Sequence, residues 1–183
     1  MEIIDTGFDG LVAVVPKVWR DARGGFCETW NAARYAEAGI RAAFVQDNES
    51  VSCKGTVRGL HWQAAPFTQA KLVRVVRGAA WDVVVDIRKG SPTYARHFSM
   101  LLTGGNAKQL YIPRGFAHGF AVLEDDTVFS YKCDAPYNPA SERGMRFDDP
   151  ALGIEWPEGL GAIVLSEKDR KHPPLAEIEP WEG

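Results

Sequence analysis

Lys71-Leu-Val-Arg-Val-Val-Arg-Gly-Ala-Ala-Trp-Asp-Val-Val-Val-Asp-Ile87 is the stretch that decides the fold. Two runs rich in β-branched residues, Lys71–Arg77 and Trp81–Ile87, flank Gly78, the pattern of two strands joined at a tight turn. Successive side chains of a strand point to opposite faces, so Trp81, Val83, Val85 and Ile87 face one way. Asp82, Val84, Asp86 and Arg88 fall on the other face. Two carboxylates and an Arg on one strand face call for a polar setting or for paired burial.

The same texture continues outward. His97–Leu102, Gln109–Ile112, Phe116–Leu123 and Thr127–Cys133 are further β-branched or aromatic runs, broken by Gly90-Ser-Pro-Thr93, Gly104-Gly105 and Glu124-Asp-Asp126. Many short strands at this spacing predict an all-β barrel or sandwich. One segment reads as a helix: Asn31 to Gly39 has an Asn at the N-cap position, good helix formers inside and Gly at the exit. If Val57–Gln63 is a strand, Val57, His61 and Gln63 share one face and Arg58, Leu60 and Trp62 the other. In Thr127–Cys133, Phe129, Tyr131 and Cys133 point together. Residues 148–183, with Trp156, Trp181 and several prolines, read as a tail wrapping a single domain that spans residues 1–183.

Composition restricts the function. The chain has 183 residues, 45% of them hydrophobic and 25% charged, which suits one globular domain. Against 24 Asp and Glu stand 21 Lys and Arg, so no overall basic surface awaits a nucleic-acid backbone. The longest stretch without Asp, Glu, Lys or Arg, Gly59–Ala70, is well short of the roughly 18 residues that suggest a membrane span. The acidic start Met1-Glu-Ile-Ile-Asp5 lacks the basic and apolar regions of a secretory signal, and a cytoplasmic location is expected. Cys27, Cys53 and Cys133 are odd in number and widely spaced, so reduced thiols are expected.

Two phrases can carry chemistry. Arg58-Gly-Leu-His61-Trp-Gln63, with Gln69-Ala-Lys71 eight residues beyond the histidine, puts a base and a cation within reach of one cavity. Ile112-Pro-Arg-Gly-Phe-Ala-His118-Gly-Phe120 places a rigid turn ahead of a strand that presents a second histidine. A structural, hydrogen-bonded core histidine is the competing reading of each. No two of His61, His97, His118 and His172 lie within five residues of one another, so the His-x-His pair common in metal-binding cupins is missing. Dinucleotide, P-loop and nucleophile-turn motifs are absent as well.

In this order the phrases resemble the dTDP-4-dehydrorhamnose 3,5-epimerase family. The resemblance rests on Asp21-Ala-Arg23-Gly-Gly-Phe26-Cys-Glu28, Gln46-Asp47-Asn48-Glu-Ser50, Arg58 to Gln63, Gln69 to Lys71, Asp82 to Thr93 and Ile112 to Phe120. Tyr131-Lys-Cys133 with Tyr137 and Glu142, Asp148-Asp-Pro150, Ile154-Glu-Trp-Pro157 and Leu165-Ser-Glu-Lys168-Asp169 extend it over nearly the whole chain.

The resemblance implies a cupin-like jelly roll with a few short helices, working as a homodimer without metal or organic cofactor on a dTDP-linked 4-keto-6-deoxyhexose. His61 then matches the base, Asp169 the carboxylate that orients it, Lys71 the cation beside the C4 oxygen, and Tyr131 the acid that returns a proton from the other face. Arg23, Arg58, Gln46 and Asn48 match diphosphate or sugar contacts, with Asp47 in the same phrase. Glu28, Phe26 and Tyr137 match the region around thymine, and His118, Glu142 and Lys168 further ligand-lining positions. Exchange of the N-terminal strand would carry Arg23 to Glu28 into the partner's site. Trp19, Trp62, Asp134 and Phe147 depart from the family's usual residues, and a bulkier Trp62 bears on whether one or both ring centres are epimerised. A single-centre epimerase, a silent sugar-nucleotide-binding module and a metal-dependent cupin are the alternatives.

Overall fold

A computed structural model describes residues 1–183. Thirteen strands follow one another along the chain: β1 (Glu2–Asp5), β2 (Val12–Val15), β3 (Val18–Asp21), β4 (Gly24–Cys27), β5 (Gln46–Ser52), β6 (Val57–Gln63), β7 (Lys71–Arg77), β8 (Ala79–Asp86), β9 (His97–Thr103), β10 (Gln109–Ile112), β11 (Phe116–Val122), β12 (Thr127–Cys133) and β13 (Glu142–Gly144). One helix, α1 (Ala32–Glu37), lies between β4 and β5. The expected strands and helix are all present. Asn31 caps α1 by accepting from the Arg34 backbone N–H, and Gly39 at the exit has a φ of 91°.

Eleven of the strands form two antiparallel sheets packed as a jelly roll. One has the order β1-β2-β10-β7-β12-β5 and the other β13-β6-β11-β8-β9. Between them lies a core of Val73, Val75, Leu110 and Phe129 from the first sheet against Val84, Leu102, Phe116, Phe120 and Val122 from the second. Phe120 and Phe129 stack across the layer with centroids 3.8 Å apart. The alternation read in β8 holds: Trp81, Val83, Val85 and Ile87 form the outer face, covered by Ile154, Trp156, Leu175, Ile178 and Trp181 of the tail. The inner carboxylates are both paired. Asp82 meets His118 at 2.8 Å, and Asp86 meets Arg88 at 2.8 Å.

In β6 the expected alternation fails, and the reason is local. His118 of β11 faces His61, but Phe120 faces Arg58, so Gly59 and Leu60 together oppose Gly119. A Cβ on Gly59 would run into the Gly119 backbone, and the φ of Gly59 is 130°. This bulge shifts the phase of the strand. Val57 packs outward on Leu160, away from His61. Arg58 turns inward, donating to Ser52 Oγ at 3.1 and 3.2 Å, while Leu60 and Trp62 stay on the outer face.

No helix is long and apolar enough to cross a membrane. β3 and β4 form a separate two-stranded hairpin on which Trp19 and Phe26 are 46% and 70% exposed. Cys27, Cys53 and Cys133 are unpaired thiols.

Candidate active site

At one end of the sandwich the sheets part around a cavity of about 300 Å³. Gln46 and Asn48 of β5, Lys71 of β7 and Tyr131 of β12 line one wall. His61 and Gln63 of β6 and Glu142 of β13 line the other. Tyr137 and Gln69 close the mouth.

His61 is half-buried, and its Nε2 lies 2.5 Å from Asp169 Oδ1. Asp169 begins a short 3-10 turn, Asp169–Lys171, fixed by its own backbone N–H donating to Ser166 Oγ at 3.1 Å. Burial alone would push the Asp169 carboxyl up, but the hydrogen bond and charge of His61, with Ser166, hold it below the ordinary carboxylate range. Ionised, it can only accept, so Nε2 of His61 carries the hydrogen. In the neutral ring this leaves the lone pair on Nδ1, as a general base requires.

Across the cavity the Lys71 ammonium lies 5.9 Å from the centre of the Tyr131 ring. Burial pulls Lys71 below the ordinary lysine value, opposed by Cys133, Asp82 and Glu142. Burial pushes the Tyr131 phenol up, with Arg58 opposing, so Tyr131 keeps its proton at neutral pH. The site thus sets a base on one sheet against an acid and a cation on the other. At the rim, Tyr137 Oη and Lys168 Nζ both donate to Glu142 Oε2.

Of the residues expected from the sequence, His61, Asp169, Lys71, Tyr131, Gln46, Asn48, Tyr137, Glu142 and Lys168 converge here. Arg58, which donates to Ser52, does not line the cavity but lies near enough for its charge to act on the Tyr131 phenol. His118 does not line the cavity wall; it is buried against Asp82 and packs beside Phe120 and Phe129. Asp47 points to the outer face of its sheet and pairs with Lys132 at 2.8 Å, because it alternates with Gln46 and Asn48. Arg23 and Phe26 sit on the exposed β3–β4 hairpin, where Arg23 pairs with Asp21, and Glu28 pairs with Arg34 at 2.9 Å. None of these three lines the cavity of its own chain.

Sequence reasoning passed over Gln63, Gln69 and His172 as site residues. Gln63 accepts from the Asn138 backbone N–H at 2.9 Å, and Gln69 donates to the Ala135 carbonyl at 2.7 Å, so both shape the loop beside Tyr137. Their positions within the His61 and Lys71 phrases were the available signal. His172 had none: its Nε2 lies 3.3 Å from Asp169 Oδ1, and its ring stands edge-on to that of His61 at 5.3 Å. His61, Asp169 and His172 thereby bring three donor atoms within 4.8 Å of one another, a grouping that local histidine spacing does not reveal.

Known proteins extend these observations. The family model for dTDP-4-dehydrorhamnose 3,5-epimerase matches residues 5–177. A dTDP-4-dehydrorhamnose 3,5-epimerase of Methanothermobacter thermautotrophicus is 46% identical over 175 residues, covering 95% of this chain and 94% of that protein. The crystal structure of a 3,5-epimerase from Legionella pneumophila Philadelphia 1, in complex with dTDP-4-keto-L-rhamnose, superimposes with a TM-score of 0.94 at 45% identity, covering 100% of this chain and 98% of that one. A 3'-monoepimerase of Streptomyces bikiniensis in complex with dTDP-quinovose is more distant, with a TM-score of 0.86, 34% identity and coverage of 92% and 85% of the two chains.

Proposed function

From the premise that the chain belongs to the dTDP-4-dehydrorhamnose 3,5-epimerase family, we propose that it inverts C3 and C5 of dTDP-4-dehydro-6-deoxy-D-glucose, giving dTDP-4-dehydro-L-rhamnose. The 4-keto group acidifies the C–H bonds on both neighbouring carbons. His61 Nδ1 takes the proton, and the imidazolium so formed is stabilised by Asp169. Negative charge moves to the C4 oxygen, where the Lys71 ammonium meets it. Tyr131 then delivers a proton to the carbon from the opposite side, and proton exchange with solvent resets His61 and Tyr131. The cycle moves protons only and needs no electron acceptor.

What supports this reading above all is that base and acid stand on opposing sheets of one cavity, His61 on β6 and Tyr131 on β12. Inversion requires removal on one face and return on the other. Gln46, Asn48 and Arg58 bind the sugar and diphosphate around this centre, Tyr137 lies towards the thymine, and Glu142 and Lys168 line the ligand further out. The protein works as a homodimer, and Arg23, Phe26 and Glu28 serve the partner's site; their support is the exposed, aromatic β3–β4 hairpin standing clear of its own cavity. Mixing a His61→Asn variant with an Arg23→Ala variant restores activity if sites are shared across the dimer, and restores none if each chain is self-sufficient.

The direct test of the reaction is incubation with dTDP-4-dehydro-6-deoxy-D-glucose in deuterated water, followed by NMR. Deuterium at C3 and C5 is expected. Label at one carbon would replace the reading by a single-centre epimerase, and label at neither would end it.

A further inference from the structure

His172 plays no part in the proton transfers above, yet it is built into the site with care. Its side chain is 10% exposed, and its buried Nε2 makes no well-aligned hydrogen bond, its polar neighbour being Asp169 Oδ1 at 3.3 Å. Its ring lies flat on Gly144 of β13, the residue that pairs with His61, and a Cβ at Gly144 would overlap the imidazole. The ring is therefore held with Nε2 aimed at Asp169 Oδ1, the oxygen that His61 also engages. A buried nitrogen without a well-aligned partner is costly, and where it carries the lone pair a metal ion or a proton satisfies it.

We propose that His61, Asp169 and His172 form a binding site for a divalent transition-metal ion of the Zn2+ class, and that its occupation switches the epimerase off. Two imidazoles and one carboxylate suit Zn2+ and are poor ligands for Mg2+ or Ca2+. Ligand atoms about 2.1 Å from a tetrahedral ion stand about 3.4 Å from one another. The His172–Asp169 edge, at 3.3 Å, already has that length. The His61–Asp169 edge, at 2.5 Å, must open by just under 1 Å as the ion displaces the hydrogen between them. Three protein donors leave a fourth position of a tetrahedral ion for water.

Inhibition follows from the tautomer. A metal on Nε2 of a neutral imidazole leaves the ring hydrogen on Nδ1, so the hydrogen lost from Nε2 is regained at Nδ1 through solvent and the ring stays neutral. Nδ1 is the atom assigned to lift the substrate proton, and it then has no lone pair to do so. This consequence rests on His61 being the base; the binding site itself does not.

The test separates the two. Metal-stripped protein labelled with 15N at histidine is titrated with Zn2+ while the two-bond 1H–15N signals of the rings are followed. The expected result is metal-bound shifts at Nε2 of His61 and His172, with the His61 hydrogen moved to Nδ1, and no change with Mg2+. By calorimetry His172→Phe, which keeps a ring in the Gly144 cradle, should bind Zn2+ at least a hundredfold more weakly, beyond what loss of a supporting group costs. Solvent exchange into substrate should fall with the same Zn2+ midpoint as binding and recover with a chelator. Unchanged ring signals in the native protein, or equal Zn2+ affinity of His172→Phe, would overturn the site. Binding at these rings with full epimerase activity would overturn the tautomer mechanism alone.

Discussion

Replacing Asp169 by Asn tests the core of the catalytic assignment, because it keeps shape and hydrogen-bonding capacity while removing one charge. A base must be neutral before it takes a proton, and against a neutral His61 Asp169 contributes little Coulomb energy. Once His61 holds the substrate proton, an ion pair exists across a 2.5 Å contact with the carboxylate side chain only 4% exposed. At an effective dielectric of about 20 and about 4 Å between charge centres, that pair is worth about 4 kcal/mol. Proton transfer is incomplete at the transition state, which leaves roughly 2–4 kcal/mol, or a thirty- to thousandfold loss of rate. The loss belongs to kcat, since the stabilised charge exists only after binding. The assay is the initial rate of deuterium entry at C3 and C5, measured above and below KM, with thermal melting to check the fold. A fall of less than about tenfold in kcat, or a loss confined to KM in a folded variant, would refute the dyad argument.

Tyr131→Phe should leave the base intact while removing the returning proton, so kcat for net inversion falls by about a hundredfold or more, and exchange catalysed from the His61 side persists; equal loss of both would remove Tyr131 as the opposite-face acid. Lys71→Met should lower kcat by about a hundred- to a thousandfold through loss of the enolate's counter-charge, measured in the same exchange assay, and an unchanged kcat would reassign the cation. Asp86, fully buried, accepts from Arg88, Ser91 and Thr93; burial opposes its ionisation, but these donors bring it down to about 2. A depressed carboxylate stabilises the fold above its unfolded value of about 3.9, and that stability disappears as pH falls towards 2. Asp86→Asn should therefore cost about 2 kcal/mol by urea denaturation at pH 7, a difference that shrinks steadily below pH 4; a pH-independent difference would contradict the ionised network.

What the sequence makes legible follows from how local the cause is. β8 is readable because Asp82 and Asp86, four residues apart in an otherwise apolar run, share one phase, and both are buried with partners. β6 was misread at Arg58 because a bulge depends on the facing strand: Gly59 permits the close approach, but Gly119 across the ladder sets where the phase slips. Asp169 was found only through the family phrase, since its partner His61 lies 108 residues away in sequence. His172 has no such phrase and no local signal, although it touches the same carboxylate. Asp47 was grouped with Gln46 and Asn48 as a neighbour in sequence, whereas strand alternation sends it to the opposite face.

The sandwich itself explains why this fold suits chemistry on two faces of one ring. Sheets packed face to face stand about 10 Å apart, room for a sugar ring with one layer of side chains on each side. A base mounted on one sheet and an acid on the other then meet opposite faces of whatever lies between, without any movement of the backbone. Such a cavity must hold charges in a poorly solvated place, and here they are met by groups of opposite sign: His61 when protonated by Asp169, Lys168 by Glu142, and Lys71 by the field of Asp82 and Glu142. Lys71 lacks a direct ion-pair partner, and burial weakens its hold on its proton. On the proposed mechanism the negative charge that would satisfy it is the one that develops on the C4 oxygen, so a buried, unpaired cation of the site would favour the enolate over the ketone.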